Sequence, residues 1–231
     1  MSIRNKIISS KIEILEVSRD SEVEKADEII HEEEVVVKYD RKIHKFHCIP
    51  TNLEEMIVGN LKSRGIDSAF SNIRKIADNE FEVAISEGSI NTPQKCEYNK
   101  NLTSKEVFNS VEMLNEKSFL YKKTGCTHVV GICGDKEIFV EDISRHCAID
   151  KAIGLATRDG INLSGSFLVT SCRQTASTIK KAIFCGIPIV ISIAAPSDLA
   201  VKEANEYGIT LIGFAGSQRF NIYSHGWRIK S

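Results

Sequence analysis

The sequence predicts an α/β protein, α+β overall, in which a mixed sheet covered by helices follows a smaller β-rich N-terminal domain. Two patterns predict this class. After Gly125, short apolar runs alternate with amphipathic helical segments, which is typical of a largely parallel sheet. Before Pro50, apolar and polar residues alternate singly, as in antiparallel strands with one solvated face.

We place the domain boundary in residues 86–104, where Gly, Pro, Asn, Ser and Thr dominate. This composition predicts a loop, and loops of that length in compact proteins are usually functional or disordered. The prediction is therefore an N-terminal domain of residues 1–95 and an α/β domain of residues 96–231.

The N-terminal elements follow from period-two alternation and helix signals. Lys11–Val17 reads as a strand, and the acidic segment 20–34 as a loop. A turn at Asp40-Arg41 joins two further strands, and more strands are expected within 72–84. Between them, Glu54 and Glu55 suit the first turn of a helix that begins after Pro50 and stops near Gly65.

In the second half of the chain, the sequence predicts alternating helices and strands. A β-hairpin follows the first of these helices. These elements are a helix over 104–115, strands over 129–133 and 137–141, a helix ending near Gly160, a strand over 167–171 and a helix over 173–184. Covered on both faces, such strands form a mixed sheet that is parallel in its later part.

The C-terminal part predicts a strand–helix–strand unit. Two β-branched runs, 187–193 and 210–214, enclose a helix over 197–207 with Leu199, Val201 and Ala204 on one face. Ser197 suits the N-cap and Gly208 the left-handed C′ position.

Small and polar residues follow three strands of this sheet, at residues 170–173, 192–197 and 214–219, and the turn 142–146 joins the same edge. Carboxyl ends of parallel strands are the expected place for a ligand. In 214–219, backbone N–H groups and Arg219 can meet a phosphate, although an ordinary turn with a solvated Arg219 stays open.

Charged residues cluster at the start of the helix that ends near Gly160. They are Asp142, Arg145, His146, Asp150 and Lys151. An ion-pair network is favoured over acid/base catalysis, with His146 and Asp150 able to face one another.

Composition excludes several function classes. The net charge of −1 gives no electrostatic reason for a nucleic-acid or anionic-membrane partner. Seven scattered cysteines without a short C-x-x-C pair exclude a zinc knuckle. The N-terminus lacks a signal-peptide pattern, and no apolar run reaches the length of a membrane helix. We expect a reduced, cytoplasmic protein.

Cys96 stands apart because its neighbours are polar. We expect it to be exposed, with Lys95 and Lys100 favouring the thiolate. A mobile thiolate is what sulfur transfer needs, and an incidental surface cysteine is the alternative. Cys126 and His128 are expected to be structural, without a zinc site.

The chain resembles the formate dehydrogenase accessory sulfurtransferases, the FdhD family. The resemblance rests on Thr124–His128, Val140–Lys151, Gly186–Pro188 with Ala195–Val201, and Gly208–Arg219 through Tyr223-Ser-His. It implies a cytidine-deaminase-like α/β domain, a cytoplasmic location and a homodimer.

The resemblance also implies a chemistry. Such proteins accept persulfide sulfur from a cysteine desulfurase on a loop cysteine, here Cys96, and pass it to the molybdenum cofactor for formate dehydrogenase. That cofactor is the bis-molybdopterin guanine dinucleotide form. Its implied binding residues are Phe214, Ala215, Gly216, Ser217, Gln218 and Arg219.

The chain departs from the family pattern in its loop, where the usual Cys-x-x-Cys pair is Cys96 followed by Glu97, Tyr98 and Asn99. Cys147 also stands where the family often has Asn. An alternative is therefore a diverged chaperone that binds the cofactor or a guanine nucleotide without moving sulfur. A zinc nucleoside deaminase is disfavoured because its ligand signature is absent.

Overall fold

The computed structural model of the chain describes residues 8–66, 69–85, 91–96 and 101–230. They form a mixed α/β protein with four sheets and six helices. The strands are β1 Ser9–Val17, β2 Glu22–Ile30, β3 Glu33–Tyr39, β4 Lys42–Cys48, β5 Ile73–Ala77, β6 Glu80–Val83, β7 Leu102–Thr103, β8 His128–Cys133, β9 Glu137–Asp142, β10 Phe167–Thr170, β11 Ile189–Ser192, β12 Thr210–Gly213, β13 Asn221–Ser224 and β14 Ile229–Lys230. The helices are α1 Leu53–Lys62, α2 Ser104–Glu116, α3 Phe119–Thr124, α4 Arg145–Arg158, α5 Ala176–Phe184 and α6 Asp198–Tyr207.

The main sheet has six strands in the order β13-β12-β11-β10-β8-β9. Strands β10, β11 and β12 are parallel to one another, whereas β8 and β13 run antiparallel to their neighbours. On one face, Val130, Leu168 and Leu211 join a core with apolar residues of α4, α5 and α6. On the other, Val169 and Ile191 pack with residues of α2. The predicted mixed sheet covered by helices is confirmed.

The N-terminal part is rich in strands, as predicted. A four-stranded sheet in the order β4-β3-β6-β5 packs on α1 through Val37, Phe81, Met56 and Leu61. Strands β3 and β4 meet at Asp40 and Arg41, which both have positive φ, the geometry of a two-residue hairpin turn. The boundary between residues 95 and 96 remains a prediction.

One sequence expectation fails in segment 20–34, which is not a loop. Its residues Glu22–Ile30 form β2, which pairs antiparallel with β1 over nine residues. Apolar and polar residues alternate only weakly in this segment. Most of its side chains are exposed, so no buried face produces a strand pattern in the sequence. Pairing with β1 and contact with α3, where Lys123 lies 3.7 Å from Glu28, hold it in place.

The C-terminal unit has its predicted caps, and its predicted inner face is right for Val201 and Ala204 but wrong for Leu199. The Ser197 hydroxyl accepts a hydrogen bond from the Ala200 N–H, and Gly208 has φ 74°. Ala200 and Ala204 are buried, whereas Leu199 is 50% exposed. The close approach of α6 to the sheet admits the alanines and turns Leu199 outward. The preceding helix also starts three residues later than expected, at Ala176.

Candidate functional site

Four loops meet at the carboxyl edge of the main sheet, because β9, β10, β11 and β12 all end there. Backbone hydrogen bonds join the three loops that follow β10, β11 and β12. Gln174 N–H donates to the Ala195 carbonyl at 3.2 Å, and Phe214 N–H donates to the Ala194 carbonyl at 3.2 Å. The Ala215 N–H donates to the Ser192 carbonyl at 3.0 Å. These bonds hold the three loops together at the edge that the strand polarity predicted.

In loop 214–219, three backbone N–H groups that were expected to be available to a phosphate are hydrogen-bonded within the protein. The N–H groups of Phe214 and Ala215 are taken by the bonds above, and the Gly216 N–H donates to the Arg219 carbonyl at 2.9 Å. These three groups therefore do not point to a phosphate. The side chains of the loop that can reach a ligand are the exposed ones, Phe214, Ser217, Gln218 and Arg219.

A cavity of about 260 Å³ opens at the same edge, and its wall includes none of the residues 214–219. Its wall includes Cys126, His128, Ser171 and Ile193. Ser171 is held by its hydroxyl, which accepts a hydrogen bond from the Val129 N–H at 2.9 Å. Sequence reasoning treated Cys126 as structural, but it is an exposed thiol in the wall of this cavity. Its place directly before β8, at the edge chosen for the ligand, was the available signal.

A basic corner borders the cavity. Burial lowers the pKa of His128, and the positive charges of Arg145 and Arg173 lower it further against the opposing effect of Asp142. His128 is therefore held in its neutral form near two guanidinium groups. Together with Arg219 on the neighbouring loop, these two arginines favour an anionic ligand at this edge.

Cys96 lies at the opposite, amino edge of the sheet. Its N–H donates to the Tyr207 carbonyl at 2.9 Å, at the end of α6 and just before β12. It lines a cavity of about 600 Å³ together with Ser164 and with Phe184–Gly186, which precede β10 and β11. Since the four residues of β12 span about 13 Å, Cys96 and loop 214–219 are on different edges.

The expected exposure of Cys96 is wrong: the residue is half-buried and packs against the main core. Burial raises the pKa of its thiol, and the positive charge of Arg228 opposes that rise. The Lys95 side chain is exposed, and Lys100 lies outside the described residues. The cation that acts on Cys96 is thus Arg228, a residue that sequence reasoning did not select.

Arg228 is the anchor of this segment. It is 1% exposed, and its guanidinium donates to the carbonyls of Gly208 at 2.8 Å and Cys96 at 3.0 Å, and to the Thr210 hydroxyl at 3.0 Å. Glycine is favoured at position 208 because φ is 74°, and a Cβ there would also lie 3.1 Å from the Cys96 carbonyl oxygen. Two backbone bonds therefore fix Cys96 at the wall of its cavity.

The charged cluster at the start of α4 forms buried ion pairs, as the sequence favoured. The Lys151 ammonium lies 2.6 Å from Asp142 and also donates to the Ile49 carbonyl at 2.7 Å. Asp150 pairs with Lys181 and not with His146. Burial lowers the pKa of His146, with Lys181 and Arg145 adding to the effect. These pairs bind α4 to its neighbours and occupy the carboxylates of Asp142 and Asp150.

Two properties of the described residues bear on metals and membranes. Within them, no group of three or more His, Cys, Asp or Glu side chains is arranged to hold a metal ion. None of the helices in the described ranges has both the length and the apolar character needed to cross a membrane.

Comparison with known proteins identifies relatives over most of the chain. A family model described as FdhD/NarQ matches residues 78–230. The chain is 30% identical to the sulfur carrier protein FdhD of Methanothermobacter thermautotrophicus, over 80% of this chain and 84% of the relative. It is 29% identical to the sulfur carrier protein FdhD of Sulfurisphaera tokodaii, over 95% of this chain and 98% of the relative.

A solved crystal structure has the same fold. It is that of a protein from Desulfotalea psychrophila, provisionally assigned as a formate dehydrogenase accessory protein, and it superposes with a TM-score of 0.82. The match covers 96% of this chain and 100% of the other at 23% identity. At that identity the likeness establishes the fold.

Proposed function

Because the chain belongs to the FdhD/NarQ family, we propose that it is a sulfur carrier that serves a formate dehydrogenase. In this proposal Cys96 accepts sulfur from a cysteine desulfurase, and the carboxyl edge binds the molybdenum cofactor as its substrate. The observation that carries the proposal is the half-buried Cys96, fixed by Arg228 at the wall of a 600 Å³ cavity within the matched region.

The loading step is a thiol–persulfide exchange. The Cys96 thiolate attacks the outer sulfur of the donor persulfide, the donor S–S bond breaks, and the donor leaves as a thiolate. Cys96 then carries the outer sulfur as its own persulfide. The exchange needs no external oxidant or reductant. The Arg228 charge favours the attacking thiolate, which burial alone would disfavour.

Delivery involves the other edge. There, Arg219 and the basic corner of Arg145 and Arg173 suit the phosphates of a guanine dinucleotide cofactor. Because Cys96 is held at the opposite edge, delivery in this proposal requires its backbone bonds to Tyr207 and Arg228 to break so that the loaded sulfur can reach the cofactor.

Sulfur loading on Cys96 is expected to be lost completely in Cys96→Ala, because the attacking sulfur atom is removed. The protein is incubated with a cysteine desulfurase and cysteine, and intact-mass and peptide spectrometry then locate added sulfur atoms. Cys126→Ala is the matched control, since it removes an exposed thiol at the other edge and is expected to load like the wild type. Equal loading of the wild type and Cys96→Ala would overturn the assignment of Cys96.

Arg219→Ala is expected to weaken binding of GDP, used as the probe, by about 1.5–3 kcal/mol, or roughly 10- to 100-fold, which is the scale of a charge-assisted hydrogen bond. Calorimetry measures the affinity. Arg19→Ala, an exposed arginine in the β1–β2 turn, is the control and is expected to bind as the wild type does. An unchanged affinity in Arg219→Ala would remove loop 214–219 from the site.

One observation favours the second candidate, a chaperone that binds the cofactor or a guanine nucleotide without moving sulfur. Burial raises the pKa of Cys96, and no second cysteine lies within the described residues 91–96. GDP binding without any sulfur adduct on the protein would select this candidate. Sulfur on Cys126 alone would retain a carrier role but move it to the carboxyl edge.

A further inference from the structure

Two cysteines outside both cavities are in side-chain contact where the N-terminal sheet meets α4. Cys48 is the last residue of β4, and Cys147 lies in the first turn of α4. Both are buried in the same apolar cluster, close enough for each thiol to affect the pKa of the other. The Cys147 sulfur also lies 4.0 Å from the His47 carbonyl oxygen. Residues 99 positions apart in sequence thus form a dithiol in the fold.

The surrounding backbone holds this pair in place. The Ile49 N–H donates to the Asp142 carboxylate at 3.3 Å, and the Lys151 ammonium donates to the Ile49 carbonyl at 2.7 Å. Both partners belong to the buried ion pair at the start of α4. Strand β4 is therefore fastened to the helix within one residue of Cys48, and the two sulfur atoms cannot separate without breaking these bonds.

The two thiols are chemically different. The hydrogen bond from Cys48 lowers the pKa of Cys147, an effect that burial, Asp142 and Asp150 oppose and a bond with Ser144 supports. The same bond and burial raise the pKa of Cys48, against the charge of Lys151. Cys147 also occupies the first turn of a helix, where thiolates are stabilised. The lowered pKa and the place at the helix start both favour Cys147 over Cys48 as the attacking thiolate.

A small reagent has a route to Cys147. A surface cavity of about 390 Å³ is lined by Lys45, His47, Ser144, His146 and Cys147. Cys48, which is fully buried, is not in that wall. A peroxide entering the cavity therefore meets Cys147 first.

We propose that Cys48 and Cys147 form an oxidation site for small peroxides that closes to a disulfide between β4 and α4. The Cys147 thiol releases its proton, and the thiolate attacks a peroxide oxygen of H₂O₂. The O–O bond breaks, the leaving hydroxide takes up the released proton as water, and Cys147 is oxidised to a sulfenic acid. Cys48 then attacks the Cys147 sulfur. The S–S bond forms, the S–O bond breaks, and the oxygen leaves as water with the Cys48 proton. In sum, two thiols and one H₂O₂ give one disulfide and two waters.

This site goes beyond the proposed sulfur carrier, since it shares no residue with Cys96 or loop 214–219. The disulfide would fasten the N-terminal sheet covalently to the helix whose first turn also bears Arg145. Oxidation would in this way restrict the junction between the two parts of the chain.

The test treats the full chain, in a Cys126→Ser background that prevents disulfides between molecules, with stepwise H₂O₂. Non-reducing peptide mapping is expected to give a Cys48–Cys147 linked peptide and a loss of two hydrogens from the intact mass, both reversed by dithiothreitol. Cys133→Ser, another buried cysteine, is the control and is expected to form the same link.

Two variants separate this chemistry from a change in folding. In Cys48→Ser the sulfenic acid on Cys147 is expected to persist and to be trapped by dimedone, whereas Cys147→Ala is expected to give no adduct on Cys48. Circular dichroism checks that each variant folds. A folded wild type that oxidises Cys147 to the sulfinic acid without a linked peptide would overturn the proposal, as would equal dimedone labelling of Cys147 in the wild type and Cys48→Ser.

Discussion

Lys151→Met is expected to destabilise the protein by about 3–5 kcal/mol, the cost of leaving one member of a buried ion pair without its partner. Lys151 and Asp142 are both fully buried, and the ammonium lies 2.6 Å from the carboxylate. Burial already raises the pKa of Asp142, and Lys151 is the largest effect opposing it. Methionine fills a similar volume but supplies no charge. Urea unfolding measures the loss of free energy.

The pH dependence of that loss identifies its cause. Without Lys151, the folded-state pKa of Asp142 rises further above its unfolded value, so folding favours the protonated carboxyl. The penalty is therefore largest when pH exceeds the folded pKa, and it disappears as pH falls below the unfolded pKa. The difference between wild type and variant is expected to shrink from pH 7 toward pH 4.

A matched variant is available on α5. Lys180→Met removes an exposed lysine that pairs with Glu203 at 3.1 Å, and such surface pairs contribute about 0–1 kcal/mol. Its stability is expected to stay within that range at every pH. If Lys151→Met lost no more stability than Lys180→Met, the buried pair would not hold the start of α4.

Elements with a clear local pattern were predictable from the sequence. The strand–helix–strand unit at the C-terminus needed only β-branched runs, Ser197 and Gly208, and all three features act within a few residues of one another. Segment 22–30 had no such pattern because its side chains are exposed on both faces. Its strand conformation is imposed by pairing with β1, which local alternation does not encode.

The candidate sites were less predictable because distant residues decide them. Polar neighbours suggested that Cys96 is exposed, yet Tyr207 and Arg228 fix it in a half-buried place. Strand polarity predicted which loops share the carboxyl edge, but no local sequence pattern indicates that Cys96 lies at the amino edge. The contact of Cys48 with Cys147 likewise depends on how β4 meets α4.

A second contact of α4 could not be predicted from local sequence. It is the direct backbone contact of α4 with α1. The two helices run antiparallel at the contact, with Gly59 opposite Asp150 and Gly154 opposite Glu55. A Cβ at Gly59 would lie 1.8 Å from the Asp150 carbonyl oxygen, and one at Gly154 would lie 1.8 Å from the Glu55 carbonyl oxygen. Both obstacles are backbone atoms, which a rotamer change cannot move.

Gly154→Ala is therefore expected to destabilise the protein by about 1–3 kcal/mol or more, because α1 and α4 must move apart. Helix propensity alone predicts the opposite sign, since alanine is favoured over glycine inside a helix by about 1 kcal/mol. Urea unfolding distinguishes the two signs, and Gly59→Ala is expected to behave in the same way.

Gly226→Ala is the control, because its nearest side-chain contact would be 3.4 Å, an ordinary distance. A Gly154→Ala protein as stable as the wild type would contradict the backbone contact of α1 with α4. That contact also sets the position of Asp150 between Asn60 and Lys181.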